Sequence, residues 1–547
     1  MKKLPIGISS FKDVIEGGYV YADKTEFIYN IVNTGKPYFL SRPRRFGKSL
    51  LLSTFEALFS GPPDPDGPPQ GLFKDLWIGQ SDYDFTQKYP IVTLTMTEES
   101  TSPAELRADI IDTLQEISDL YQLDVKITTP GKGLTRIIKE LYKKNDSKPV
   151  VVLVDEYDAP VSDVIENPEL ARENSQILKN FYSGFKNADH YLRFVFVTGV
   201  TRYAFMGLSS GLNHLIDLTL NKKFSGICGF TIKEFDSCFR EHLPAVLERI
   251  KIKGILSKRT SLTSLRKKIL SWYDGYTWDG QTKILNPWSI LSFFNTAEFS
   301  DYWVQTNPSV FFMAKLFKKD PFALIKDSYN DFSAKALGQA KIGELTPIAG
   351  LFQTGYLTVD KTAYDHDSQE LYSLKIPNLE IIKNRDSFFS DEMFKMLGLE
   401  PEKAKDAFEI AASGLDAEKL TEIFNSIFKL LPAEHHHDSE SCYHKVVFGY
   451  CWKFGRVVIP EAKQAIGNSD LVVIFPMTGL YVIIELKFDR GEDSKDLDRL
   501  TAKLAEKALK SIKSKEYCEP YKAQAKQLVK IGLGVTHRRK CRALIEG

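Results

Sequence analysis

The sequence predicts an α/β protein: a doubly wound parallel sheet domain first, a mainly helical middle region, then a smaller α/β domain. Three observations carry this. Over the first 230 residues, continuous apolar runs alternate with helical stretches, the pattern of strands buried on both faces with helices as crossovers. From 231 to 432 the pattern is helical, with aromatic clusters such as Trp272-Tyr273-Asp274-Gly275-Tyr276. Close to the C-terminus, two short apolar runs flank Pro476-Met477-Thr478-Gly479 and carry charges at one end, as a hairpin does. A chain of 547 residues has room for about three domains. The expected divisions are 1–230, 231–432 and 433–547.

The elements follow in order. Strands are expected at 37–41, 90–96, 150–154, 192–198 and 215–220, which read as apolar runs rather than alternating ones. Helices are expected at 48–59, 104–117, 133–144 and 174–188. Residues 61–69 hold too many prolines for either. Residues 390–432 read as amphipathic helices, and 433–440 as a linker. His435, His436 and His437 lie in that linker. Three consecutive histidines cannot all face one ion from a helix or a strand, so a solvated linker is expected rather than a metal site.

Composition excludes more than it identifies. Lys plus Arg is 72 against 71 Asp plus Glu, so overall charge names no partner. After Glu485 the chain is nevertheless rich in cations: Lys487, Arg490, Lys495, Arg499, Lys503, Lys507, Lys510, Lys513 and Lys515. Either a solvated helix or a phosphate-facing surface accounts for them. The six cysteines never take Cys-x-x-Cys spacing, so neither a zinc site nor a disulfide framework is expected. No apolar run nears the ~20 residues of a membrane span, and the N-terminus lacks an uninterrupted apolar core of a signal peptide. No membrane partner and a cytoplasmic location are expected.

Residues 38–41 run into Arg42-Pro43-Arg44-Arg45-Phe46-Gly47-Lys48-Ser49 and then Leu50-Leu51-Leu52. A strand, a tight turn, Gly-Lys-Ser and a helix start form the setting of a phosphate-binding loop. Gly47 and the helix N-terminus supply backbone N–H groups, Lys48 a cation for the β/γ-phosphates of ATP, and Ser49 a hydroxyl for Mg²⁺. Arg42 stands where the usual pattern has its first Gly. Farther on, an apolar run ends in Asp155-Glu156. Asp155 is placed to hold Mg²⁺ through water and Glu156 to activate the attacking water; the alternative is a strand ending in a solvated acidic turn. Thr198, at the tip of the next apolar run, is a candidate γ-phosphate sensor. The order of strands, with one extra between loop and acidic pair, suits ATPases with an additional strand and a catalytic Glu.

In the C-terminal pair of runs, Glu485 and Lys487 are two apart and share one strand face, and Asp470 opens the partner strand. Pairing as a hairpin would set Asp470 opposite the end carrying Glu485. Two carboxylates so placed make an Mg²⁺ site, and the Lys487 ammonium can hold or deprotonate a metal-bound water. A surface hairpin with charges at its mouth is the alternative.

On these motifs, residues 1–380 resemble the AAA-ATPase-like family, in which an Arg-rich loop replaces the Gly-first form. Matching segments are Tyr21-Ala22-Asp23-Lys24-Thr25, Asp155-Glu156-Tyr157-Asp158, Thr198-Gly199-Val200-Thr201-Arg202, Trp272-Tyr273-Asp274-Gly275-Tyr276, Asn286-Pro287 and Gly355-Tyr356-Leu357-Thr358. The C-terminal block resembles the PD-(D/E)XK nuclease superfamily, whose fold is restriction-endonuclease-like. The resemblance implies a P-loop AAA+-like domain that hydrolyses ATP, with Arg44 and Arg45 at the nucleotide, and a nuclease that cuts nucleic acid, DNA ahead of RNA. It also implies a homo-oligomer and a helix acid, here Glu440, joining the nuclease site. Glu461 resembles a further acid of that pattern. The sequence departs from the pattern at Asn468, where an Arg is usual, and at Ser511, where Gln is usual. Two readings follow: an ATPase whose nucleotide state gates DNA cleavage, as defence or mobile-element systems require, or a nucleotide-switched binding module with a degenerate nuclease fold.

Overall fold

The structure is a computed structural model that describes the chain except residues 36, 63–67, 97–101, 203–214, 305–309, 320–322, 325, 327, 339–345, 430–439, 455, 459–470, 491–495 and 515–518. It divides into two compact units, Met1–Phe312 with Ser328–Ile382, and Met313–Asp327 with Lys383–Gly547.

The first unit is built on five parallel strands: Pro37–Ser41 (β1), Ile91–Thr95 (β2), Val150–Asp155 (β3), Leu192–Gly199 (β4) and Ile216–Asp217 (β5). Their order is β2-β3-β4-β1-β5. Every residue of β1 and β3 is buried, which is why both read as unbroken apolar runs. Helices Lys48–Ser60, Pro103–Leu120, Pro130–Lys144 and Pro168–Lys186 lie in the crossovers. Their starts are chemically marked. Ser102 accepts from the Glu105 amide and Asn167 from the Leu170 amide, each with Pro in the first turn, the usual N-terminal signals. The strand expected over 215–220 is only two residues long. Asp217 turns its carboxylate onto Arg202 and onto the Thr219 amide at 2.9 Å, and these bonds end it.

The middle of the chain is mainly helical, as expected. Helices Ile232–Cys238, His242–Ile252, Leu262–Tyr273 and Pro287–Thr296 share an aromatic core in which Phe239 stacks on Phe294 with centroids 4.6 Å apart. Two small sheets accompany them. Phe230–Thr231 (β6) pairs with Ile284–Leu285 (β7), and Tyr329–Ser333 (β8), Thr358–Tyr364 (β9) and Glu370–Lys375 (β10) form an antiparallel sheet ordered β8-β10-β9.

The second unit holds a mixed sheet of Arg456–Val458 (β11), Leu471–Phe475 (β12), Leu480–Asp489 (β13), Gln527–Thr536 (β14) and Cys541–Glu546 (β15), in that order. The expected hairpin is present: β12 and β13 are antiparallel, with Leu471 opposite Ile484, and Gly479 closes the turn at φ +73°. β14 runs parallel to β13. Helix Leu497–Ser514 lies directly on β14, because a Cβ at Gly534 would meet the Thr501 carbonyl at 2.0 Å. That close approach brings the helix over β13.

Candidate active sites

At the first site β1 delivers the chain into the loop, and helix Lys48–Ser60 starts from Gly47, whose φ of +89° is left-handed. No side chain caps this helix, so its first amides are free to meet an anion. The Lys48 ammonium is buried and donates to the Pro43 carbonyl at 3.1 Å. Burial pushes its pKa down, against the pull of Asp155 and Asp158. The Ser49 hydroxyl donates to Asp155 Oδ2 at 2.6 Å, and Asp155 Oδ1 accepts the Glu156 amide at 2.9 Å. Glu156 has a left-handed φ of +50°, an uncommon conformation that marks the strand end. Burial and the neighbouring Asp155 raise its pKa, opposed by Lys48 and Arg44. Arg44, Arg45, Gly47, Lys48, Ser49 and Glu156 all line one cleft of about 570 Å³, whose walls also include Ile8, Ile227, Phe230 and Trp288.

The loop arginines behave differently from one another. Arg42 is fully buried. Its guanidinium lies 3.9 Å from the Trp278 ring centroid and donates to the carbonyls of Ser41 and Thr219 at 2.9 Å and of Phe224 at 3.3 Å. It therefore serves the interior and not the cleft, and burial pushes its pKa down to about 10. Arg44 pairs with Asp163 at 3.0 Å. Arg45, at φ +66°, lies 4.8 Å over Trp288. Phe46 is edge-on to Tyr276 and Trp278, so the aromatic Trp-Tyr-Asp-Gly-Tyr region clamps the loop from behind. Thr198 is completely buried, and its hydroxyl donates across the sheet to the Leu40 carbonyl at 2.8 Å.

Two contributors escape a reading of the sequence although their motifs are visible in it. Asp158 accepts from the Val200 amide at 3.1 Å, from the Thr201 amide at 2.5 Å and from the Ser162 hydroxyl at 3.0 Å, tying the acidic strand end to the turn after β4. Gly199 is required there, since a Cβ would lie 2.2 Å from Asp158 Oδ1. Lys24 donates to both oxygens of Glu234 at 2.6 to 2.7 Å and to the Gly226 carbonyl at 2.7 Å. The hydroxyl and carboxylate side by side, the ammonium at the loop and the uncapped helix form a donor set that fits a magnesium nucleotide.

At the second site, Glu485 is buried near the end of the apolar part of β13. The Lys487 ammonium bonds Glu485 Oε1 at 2.8 Å and Glu440 Oε1 at 3.2 Å. Burial alone would lower its pKa, but the two carboxylates raise it. Glu440 is the first residue of helix Glu440–Cys451, and its other oxygen accepts the Phe488 amide at 3.3 Å. Tyr443 of the same helix stacks on Phe488, with centroids 5.2 Å apart, and fixes the helix against β13. The Ser511 hydroxyl donates to Glu485 Oε1 at 3.1 Å, from the position where Gln was expected. Asp470, Asn468, Glu461 and His435 to His437 lie outside the described residues. Among the described residues no group of three or more His, Cys, Asp or Glu side chains is disposed to hold a metal. Nor is any helix among them long and apolar enough to cross a membrane.

A family model described as Predicted AAA-ATPase matches residues 5–209, and one for the PD-(D/E)XK nuclease superfamily matches residues 438–543. A protein of Azotobacter chroococcum mcd 1, described as "Uncharacterized protein in vnfD 5'region", is 29% identical over 547 residues, which covers 97% of this chain and 96% of that one. The first range includes the loop, the Asp155-Glu156 strand end and Thr198; the second includes Glu440, Asp470, Glu485 and Lys487. The chain joins an AAA-ATPase-like domain to a C-terminal domain of the PD-(D/E)XK nuclease superfamily.

Proposed function

We propose that this chain binds and hydrolyses ATP at the loop and cleaves phosphodiester bonds of nucleic acid, DNA in preference to RNA, at the C-terminal site. The observation that carries the first half is the Ser49–Asp155 contact of 2.6 Å, beside Lys48 and Glu156 in one cleft. Lys48, with Arg44 and Arg45, neutralises the phosphates. Ser49 and Asp155 hold Mg²⁺, and Glu156 takes the proton of the attacking water; burial raises its pKa toward that task. Bound Mg²⁺ supplies charge that offsets what builds on the transferring phosphoryl group.

The second half rests on the Glu440–Lys487–Glu485 cluster, with Asp470 as the second carboxylate for Mg²⁺. The ammonium, held between two acids, offers a positive charge to the scissile phosphate. Helix Leu497–Ser514 supports a nucleic-acid partner. Arg499, Lys503, Lys507 and Lys510 form one exposed stripe along it, and none has an ion-pair partner among the described residues. Like charges four apart destabilise a helix, whereas Lys513 and Lys540 nearby are neutralised by Glu546 and Asp498. An unneutralised stripe next to Ser511 suits a phosphate backbone. Action in the cytoplasm and as a homo-oligomer belong to the same proposal.

The test is a panel of plasmid, linear and single-stranded DNA and RNA with Mg²⁺, with and without ATP. Lys48→Ala should abolish nucleotide binding. Glu156→Gln should keep binding and stop turnover, and Lys487→Ala should stop cleavage while nucleic acid still binds. Equal ATP turnover by Glu156→Gln and the parent refutes the ATPase half. A parent that binds DNA yet cuts no form offered refutes the nuclease half and leaves a nucleotide-switched binding module.

A further inference from the structure

We propose that Glu380 is a positioning residue for the phosphate loop, holding Arg44 and Arg45 from behind through Trp303 and through Ser289 beside Trp288. The inference rests on reading the loop as a nucleotide site. Glu380 is fully buried, far along the chain from the loop. One carboxyl oxygen accepts the Trp303 amide at 2.8 Å, and the other accepts the Ser289 hydroxyl at 2.8 Å. Each bond leads on to the loop. The Trp303 ring, also fully buried, donates its Nε1–H to the Arg44 carbonyl at 2.9 Å. Ser289 follows Trp288, the ring beneath Arg45, in the first turn of helix Pro287–Thr296. One side chain therefore clasps two segments, and each segment touches one arginine of the loop.

The chemistry explains why a carboxyl is retained there. Burying it is unfavourable unless its oxygens find donors, and an apolar residue would fill the same volume without that penalty. Aromatic contacts around Phe46 exclude water but fix no register. A carboxyl with two donors in fixed directions does, and it sets Trp303 and Trp288 at once. The loop then meets the phosphates with Arg44 and Arg45 already placed, which lowers the ordering cost of binding.

Full-length parent, Glu380→Ala, Glu380→Gln and Trp303→Phe are titrated with Mg²⁺-ATP, and the thermal midpoint of each is measured without nucleotide. Glu380→Ala should raise the Kd by about tenfold, as loss of the two positioned bonds implies. Glu380→Gln should return it to within about threefold, because the amide oxygen still accepts the Trp303 N–H and the amide nitrogen can donate to the Ser289 hydroxyl. Trp303→Phe, which removes the bond to the Arg44 carbonyl together with part of the buried ring but leaves the bond from the Trp303 amide to Glu380, should also weaken binding, and it decides the matter if Glu380→Ala does not fold. An unchanged Kd in Trp303→Phe, or a lowered midpoint with unchanged Kd in Glu380→Ala, makes the role purely structural and overturns the inference. A parent that does not bind Mg²⁺-ATP overturns the nucleotide reading itself, and this inference with it.

Discussion

Burial pushes the Glu380 carboxyl up to about 8; the Trp303 amide and Ser289 hydroxyl bonds pull the other way, and Asp301 adds a little to the rise. Its ordinary value is 4.5. Between those limits the folded chain keeps a proton that the unfolded chain has lost. Stability therefore falls as pH rises through that window and levels off above it, by up to ~1.4 kcal/mol for each pH unit. Glu380→Gln cannot titrate. Thermal melts should show its midpoint gaining on the parent's from about pH 5 to about pH 8; parallel pH profiles would mean that Glu380 ionises as an ordinary acid. Ser511 invites a second measurement. Its bond orients Glu485, the acid proposed to face a metal, and such outer partners tune a site by roughly tenfold or more. Ser511→Ala should slow cleavage by that order and leave nucleic-acid affinity unchanged. A matching loss of affinity would place Ser511 at the substrate rather than behind Glu485.

Among the elements, the phosphate loop and helix Leu497–Ser514 are the ones whose charges matter most. Arg42 anchors the loop through three backbone carbonyls and the Trp278 face. Arg42→Met keeps most of the bulk but strands those acceptors, a loss on the order of 3 kcal/mol. It should lower the thermal midpoint of the first unit more than Arg45→Met, whose side chain is exposed. In the helix, Lys503→Glu with Lys507→Glu should flatten the dependence of log K on log salt by about two, roughly one for each phosphate that a lysine no longer neutralises, while helix content by circular dichroism holds. An unaltered slope would return the stripe to ordinary solvated surface. These elements also show what a sequence exposes. β1 and β3 are readable because strands buried on both faces are written as unbroken apolar runs, β4 because only Arg193 interrupts one, and Gly47-Lys48-Ser49 because a phosphate loop is contiguous. The interior course of Arg42 is not, since two of its three acceptors lie 177 and 182 residues away. Glu380 is hidden for the same reason: its partners stand 91 and 77 residues off. Thr198 looks free at a strand tip, and only the pairing of β1 with β4 puts the Leu40 carbonyl against its hydroxyl.

For the molecule as a whole, the open matter is how much chain the nuclease-like unit needs. Residue 433 is the boundary expected from the linker composition. The second compact unit reaches further back, to Lys383, and takes in 313–327 as well. Helix Ala417–Lys429 lies along β15, the edge of the mixed sheet. Asn425 accepts the Cys541 amide at 2.8 Å and donates to the Cys541 carbonyl at 3.0 Å, and Thr421 accepts the Ala543 amide at 2.9 Å. Phe408, Phe424 and Phe428 of helices Pro401–Ser413 and Ala417–Lys429 are buried, with Phe408 stacked toward Phe475 of β12. A fragment of residues 434–547 loses those rings and exposes the backbone of an edge strand, a known route to association. A fragment of residues 383–547 keeps both. The longer fragment should therefore be monodisperse by light scattering and melt cooperatively, and the shorter one should self-associate or melt without a sharp transition. If 434–547 is equally monodisperse and equally cooperative, the helices before residue 430 are dispensable and the boundary belongs at 433.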